Sequence, residues 1–145
     1  MNFPSYTPVG EIRAAAILTG SYVVAATFGD SNGSPTGLTT TPEQAVNNES
    51  TDLVLDLAFT KGSLTSCDVA VDFSTDGSTW FAEGSEAVSA GVATITSKVH
   101  RMSANFTGTI TVPVSHPYVR VKALGTGTVT SSSLAISAHF IRKER

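Results

Sequence analysis

Ser31 lies in Gly29-Asp-Ser-Asn-Gly33, a literal Gly-x-Ser-x-Gly that follows a strand-like run. That motif makes a nucleophile by setting its serine on a sharp turn into a helix. Here Pro35, Gly37 and a run of threonines follow, so the helix cannot form and Ser31 reads as an ordinary loop residue. His100, His116 and His139 are far apart and show no metal-ligand spacing, which makes them structural or solvated histidines. Asp68 and Asp72 share the outer face of one strand, with Asp76 beyond them at a turn. The alternating ligands and central glycine of a calcium loop are missing, so these carboxylates read as a solvated acidic face. Glycosidase chemistry needs two carboxylates about 5 to 10 Å apart across a cleft, and no spacing in this chain establishes such a pair. Cys67 has no second cysteine to pair with and reads as a small, partly buried apolar residue at the start of a strand. The expectation is a protein with no catalytic residue, no cofactor and no metal.

The residues with the clearest local role belong to a turn. Val69, Val71 and Phe73 alternate with Ala70 and Asp72, and Ser74-Thr-Asp-Gly-Ser-Thr-Trp80 follows. This spells a strand, a tight turn at Asp76-Gly77 and a returning strand. Ser74 and Asp76 are placed to accept hydrogen bonds from turn amides, Gly77 to take positive φ, and Trp80 to cover the hairpin.

The elements around that turn are strands throughout. Ala14 to Phe28, interrupted near Gly20, gives one or two, and Leu53, Leu55, Leu57 and Phe59 share a face with Asp56 on the wetter side. Further segments run from Val92 to Val99, Thr107 to Val114 and Tyr118 to Leu124, and the last puts Leu134, Ile136, Ala138 and Phe140 inside. Thr41-Pro-Glu-Gln44 offers one helical turn, and residues 29–41 a polar loop. About eight short strands with no long helical period predict an all-β fold, an antiparallel β-sandwich of jelly-roll type.

Composition agrees. The 145 residues suit one domain able to bury roughly 70% of its unfolded surface without a disulfide or metal. Ser and Thr supply 38 of them, as pleated strands and their turns require. No apolar run approaches membrane-spanning length, and the amino end lacks the basic and apolar regions of a signal peptide, so neither membrane nor secretion is expected. Residues 1–86 hold eleven acids against Arg13 and Lys61, a sum of −9; residues 87–145 hold seven bases against Glu144, a sum of +6. Such complementary halves place opposite charges across paired strands, or else steer subunits together. A net-acidic chain whose basic cluster is the short tail Arg142-Lys-Glu-Arg145 is not a nucleic-acid binder.

Ser74-Thr-Asp-Gly-Ser-Thr-Trp80 resembles the Ser-x-Asp-Gly-x-x-Trp hairpin of discoidin-like and other β-sandwich modules, including small virion proteins of tailed bacteriophages. It is also similar to a sialidase Asp-box, but one residue short and present once. Pro117-Tyr-Val-Arg-Val-Lys-Ala-Leu-Gly-Thr-Gly-Thr-Val129 with Ser132–Ser137 is similar to the closing hairpin of phage accessory virion proteins, and Phe59–Ser66 extends the likeness over about residues 53–141. The resemblance implies a structural protein of the virion, made in the host cytoplasm, that decorates the capsid or joins head, neck or tail. Its partners would be capsid, portal or tail proteins and further copies of itself.

The expected organisation is an extended arm over residues 1–12, a sandwich over 13–141 and a basic tail over 142–145. Phe3, Pro4, Tyr6 and Pro8 in the arm are the candidate assembly contacts, and the sandwich should fold without them. The alternative is a carbohydrate-binding or host-surface-binding module with Trp80 and Tyr118 as stacking platforms for a glycan.

Overall fold

A computed structural model describes residues 5–16, 20–28, 50–114, 116–128 and 131–143. Phe3, Pro4, Ser31, the loop expected over 29–41 and the helical turn expected at Thr41–Gln44 lie outside the described residues. What is described is all-β: β1 (Ser5–Ala16), β2 (Val23–Phe28), β3 (Ser50–Thr60), β4 (Leu64–Ser74), β5 (Phe81–Ala82), β6 (Gly84–Ser89), β7 (Val92–Ser97), β8 (His100–Met102), β9 (Phe106–Val114), β10 (Tyr118–Gly127) and β11 (Ser133–Lys143).

The strands form an antiparallel sandwich. One sheet has the order β1-β11-β3-β9, the other β2-β10-β4-β5, with β8 also on β4. Successive long strands alternate between the sheets, and the last two return into the middle: β10 slots between β2 and β4, and β11 between β1 and β3. This interleaving is the jelly-roll order, and it makes most pairing partners distant in sequence.

Period-two patterning drives the packing. Leu53, Leu55, Leu57 and Phe59 of β3, Leu134, Ile136, Ala138 and Phe140 of β11, and Val112 of β9 point inward from the first sheet. They meet Ala26 and Phe28 of β2, Cys67, Val69, Val71 and Phe73 of β4, and Val119, Val121 and Ala123 of β10. Phe28 and Phe140 cross the interface edge to face at 5.2 Å between ring centres, the offset geometry that aromatic quadrupoles favour. Each fully buried Val, Leu or Phe contributes on the order of 1.5 to 3 kcal/mol of transfer free energy.

Strands β5 and β8 lie end to end along one edge of β4, with Phe73 opposite Phe81, Asp72 opposite Ala82, Val69 opposite His100 and Cys67 opposite Met102. Between them, the Glu83 N–H bonds the Val71 carbonyl at 3.0 Å and the Lys98 N–H bonds the Glu83 carbonyl at 2.7 Å. The two are thus halves of one framework strand, interrupted where the chain leaves to form the β6–β7 hairpin and returns. The structure has eleven strands where about eight were expected: the framework takes in β1, most of which was expected as an arm, the strand beside β4 is split in two, and the segment expected over Val92–Val99 is β7 of the hairpin.

Two boundaries differ from expectation. The arm expected over residues 1–12 is, from Ser5 on, part of the sandwich: β1 pairs along β11, with Tyr6 opposite Ile141 and Pro8 opposite His139. The β1 ladder shifts register at Pro8/Gly10, consistent with a proline that donates no hydrogen bond and is tolerated on an edge strand. Arg142 and Lys143 of the expected tail likewise belong to β11, opposite Thr51 and Ser50 of β3.

Candidate functional site

The turn expected at Asp76-Gly77 is built as a longer loop. The β4–β5 ladder ends at Phe73 opposite Phe81, and β4 itself ends at Ser74 opposite Tyr118, so residues 75–80 all lie in the connection. Gly77 has φ +79, and a Cβ there would stand 3.2 Å from the Tyr118 ring, so glycine is required by backbone and by space. The Ser74 hydroxyl accepts from the Gly77 N–H at 2.9 Å and the Asp76 N–H at 3.3 Å. Asp76 Oδ1 accepts from the N–H groups of Ser78 and Thr79, both at 2.8 Å, and lies 3.0 Å from the Ser74 hydroxyl. These bonds, the Thr79 and Ser78 amides foremost, hold the Asp76 carboxyl down at about 2. Ser74, Asp76 and Gly77 thus spend their chemistry on the loop itself.

The carboxylates read as a solvated acidic face are buried. Asp68 and Asp72 are 4% and 3% exposed, on the outer side of β4. Arg101, directly opposite Asp68, grips it with two hydrogen bonds at 2.7 and 2.9 Å. Asp72 takes Arg120 Nε at 2.9 Å and Lys122 Nζ at 3.0 Å. The aliphatic stems of those cations cross the sheet and help bury it, as long basic side chains do. Arg120 then lies 4.5 Å from the Trp80 ring centre and Lys122 4.6 Å from that of Tyr22. At the base of the β6–β7 hairpin, Glu83 lies 3.0 Å from His100 Nε2 and 3.7 Å from Lys98 Nζ. Each of these pairs joins an acid from residues 1–86 to a base from 87–145, so here the charge asymmetry of the two halves is spent across strands.

His116, His139 and Cys67 lie against the framework strands. His116 stacks on Phe73 at 5.4 Å between ring centres, and His139 sits opposite Val54 in the β11–β3 ladder. Cys67 is fully buried, and burial pushes its thiol up to about 12, the reverse of what a nucleophile needs. Among the described residues no three His, Cys, Asp or Glu side chains gather as a metal site. Among the described residues no helix is long and apolar enough to cross a membrane.

Two features that the sequence reading missed lie at the break in the framework strand. The first is the β6–β7 hairpin, whose every residue is exposed. It closes in two residues, Ala90 and Gly91, with φ of +51 and +80, the left-handed pair that matches strand twist. Val88, Ala93 and Ile95 occupy one face with Glu86, and Val88 and Ile95 are 67% and 72% exposed. The alternation around Ala90-Gly91 was the available signal, weakened by the small residues between. The second is a cleft of about 420 Å³ where the two sheets part, lined by Leu57, Met102, Ala104, Phe106 and Ile110 with His100 and Arg101 at its border. Phe106 lies along the strand because residue 108 is glycine: a Cβ there would fall 2.6 Å from the ring.

Among the described residues, the arrangement offers apolar surface at the hairpin and the cleft. Comparison of the chain with protein-family models, with curated proteins and with solved structures finds no match to any of them.

Proposed function

We propose that this chain is a non-enzymatic β-sandwich that acts by protein–protein contact, as an accessory structural protein of a bacteriophage particle on its capsid, neck or tail. The observation that carries the contact reading is the β6–β7 hairpin, which presents Val88, Val92 and Ile95 to solvent. A two-stranded ribbon is marginal in water by itself, and apolar side chains on a projecting element mark an interaction surface. The assignment to a virion rests on the resemblance of Ser74–Trp80 and of the Pro117–Ser137 region to phage accessory proteins. Glycan binding has less support, because the Trp80 ring already carries Arg120 and the Tyr118 ring lies against Gly77.

The test is to purify native particles, identify the chain in them by mass spectrometry, and measure rebinding to particles stripped of it. A variant with residues 84–97 replaced by a two-glycine linker should keep its β-type circular dichroism and lose rebinding. Absence from particles would sink the virion assignment. Glycan binding that disappears in Trp80→Ala with the fold intact would replace it with the alternative.

A further inference from the structure

We infer that copies of this chain stack head to tail, the outer face of the β2-β10-β4 sheet of one copy lying on the outer face of the β1-β11-β3-β9 sheet of the next. These surfaces are separate from the β6–β7 hairpin, so the inference goes beyond the contact proposed above and stands without it.

The two outer faces show opposite charge to solvent. On the first, carboxylates form the lower layer and cations the upper: Asp68 and Asp72 are buried, while the side chains of Arg101, Arg120 and Lys122 are 59%, 27% and 21% exposed. Three cations over two carboxylates leave a sum of +1, and the positive groups are the ones a neighbour meets. Arg101 and Arg120 hold their carboxylates from this outer side, and a guanidinium has more donors than those bonds use. On the second face one row crosses all four strands, with Glu11, Ser137, Asp56 and Thr109 opposite one another in turn. Both of its carboxylates are exposed.

Shape and spacing follow the same division. Long basic side chains stand on the first face, whereas Ala58, Thr107, Ala135 and Ser137 beside Asp56 leave a shallow hollow of about 350 Å³ on the second, room for the head of a lysine or arginine. Arg120 and Arg101 stand on β10 and β8, on either side of β4, and Glu11 and Asp56 on β1 and β3, on either side of β11. Each pair is therefore about 10 Å apart across the strands. Opposite charges at matched spacing select a partner and fix its register.

The partner is a second copy because the two faces belong to one chain and point apart, their inner sides sharing a single core. Four strands about 4.8 Å apart, each of about nine residues, cover on the order of 500 Å², so the contact removes about 1,000 Å² in total, enough for a specific interface. Since the two surfaces differ, each contact leaves one face of each kind open. Growth then continues past the dimer into a row or a ring.

The experiment is sedimentation of the full chain over a concentration series at about 0.1 M and about 1 M salt, which screen charge beyond about 10 Å and about 3 Å. Two variants accompany it. Glu11→Lys/Asp56→Lys reverses the acidic row, and Val24→Glu, at a position 44% exposed and opposite Lys122, adds an acid to the basic face while Asp68 and Asp72 keep Arg101 and Arg120. The expected result is wild-type species larger than dimers at the lower salt that dissociate at the higher, with both variants folded by circular dichroism and each at least about 10-fold weaker in association. Mixing the two variants should give a heterodimer and nothing larger, because one sound basic face meets one sound acidic face and the remaining two are spoiled. A wild type that is monomeric or stops at a dimer, association as strong at about 1 M salt, or an acidic-row variant that assembles as well as wild type would each overturn the inference. If Val24→Glu does not fold, the salt series and the acidic-row variant decide alone. A monomeric wild type that rebinds particles overturns stacking and leaves the virion proposal standing, so the two failures are distinguishable.

Discussion

Asp76 shows how a polar side chain can be used to shape the backbone around it. Its Oδ1 closes the 75–80 loop by accepting two backbone N–H groups, and those bonds favour the charged form and keep the carboxyl near 2. An unstructured aspartate titrates at about 3.9, so the folded state binds its proton less readily than the unfolded state does. The stabilisation is therefore complete above about pH 4 and drains away as pH falls through about 2. Asp76→Asn keeps an acceptor oxygen and removes the charge. Its melting temperature should lie below wild type at pH 7, with the gap narrowing from about pH 4 downward and closing near pH 2, as read by thermal circular dichroism over that range. This residue was legible from sequence because its partners are two and three positions away. Asp68 and Asp72 were not. Their burial depends on Arg101, Arg120 and Lys122, which come from strands far along the chain, and nothing local distinguishes a paired carboxylate from a solvated one.

At the level of elements, β4 is the strand on which the most converges. Its inner side carries the core residues Cys67, Val69, Val71 and Phe73, and its outer side is also buried, beneath the cations of β8 and β10. Breaking a buried charge pair from one side leaves the other charge stranded, which costs more than the pair itself was worth. Asp72→Ala strands two cations and should lower stability by about 2 to 3 kcal/mol, below the usual range for a buried pair because Arg120 and Lys122 keep some solvent contact. Arg120→Ala leaves Lys122 on Asp72 and should cost about 1 to 2 kcal/mol, in part through the lost Trp80 contact. Urea denaturation of both variants checks the order, and an Arg120 variant weaker than the Asp72 variant would refute this account. Strands β3 and β11 could be read directly, since each has one buried face and strict alternation. Strand β5 was legible only as the return from the Asp76-Gly77 turn, and β6 and β8 were not legible: three residues carry no period, and β6 alternates only small side chains with Glu86 and Val88.

For the whole molecule, the interleaved strand order decides what can be removed. Residues 1–12 look dispensable in sequence because they are uncharged before Glu11 and rich in proline, the composition of an arm. In the fold, β1 is the outermost of the described strands of its sheet and, among them, the neighbour of β11 on that side, from Ser5 opposite Arg142 to Ala16 opposite Leu134. Arg13 fastens the far end by donating to the Leu134 carbonyl, and Ile12 enters the core. Deleting residues 1–10 would strip the partner strand from Ala138 to Arg142 and bare a long edge of β11. At about 1 kcal/mol net for each ladder hydrogen bond, several lost bonds amount to a cost on the order of 3 kcal/mol. An uncovered edge is also a template for pairing with other chains. The truncated protein should therefore melt lower and form more large aggregates on warming, while the β6–β7 hairpin, which has no pairing with β1 or β11, keeps its geometry. Calorimetry with light scattering on the truncated chain tests this. A melting temperature equal to that of the full chain would mean that β1 adds nothing to the sandwich and serves as a detachable arm after all.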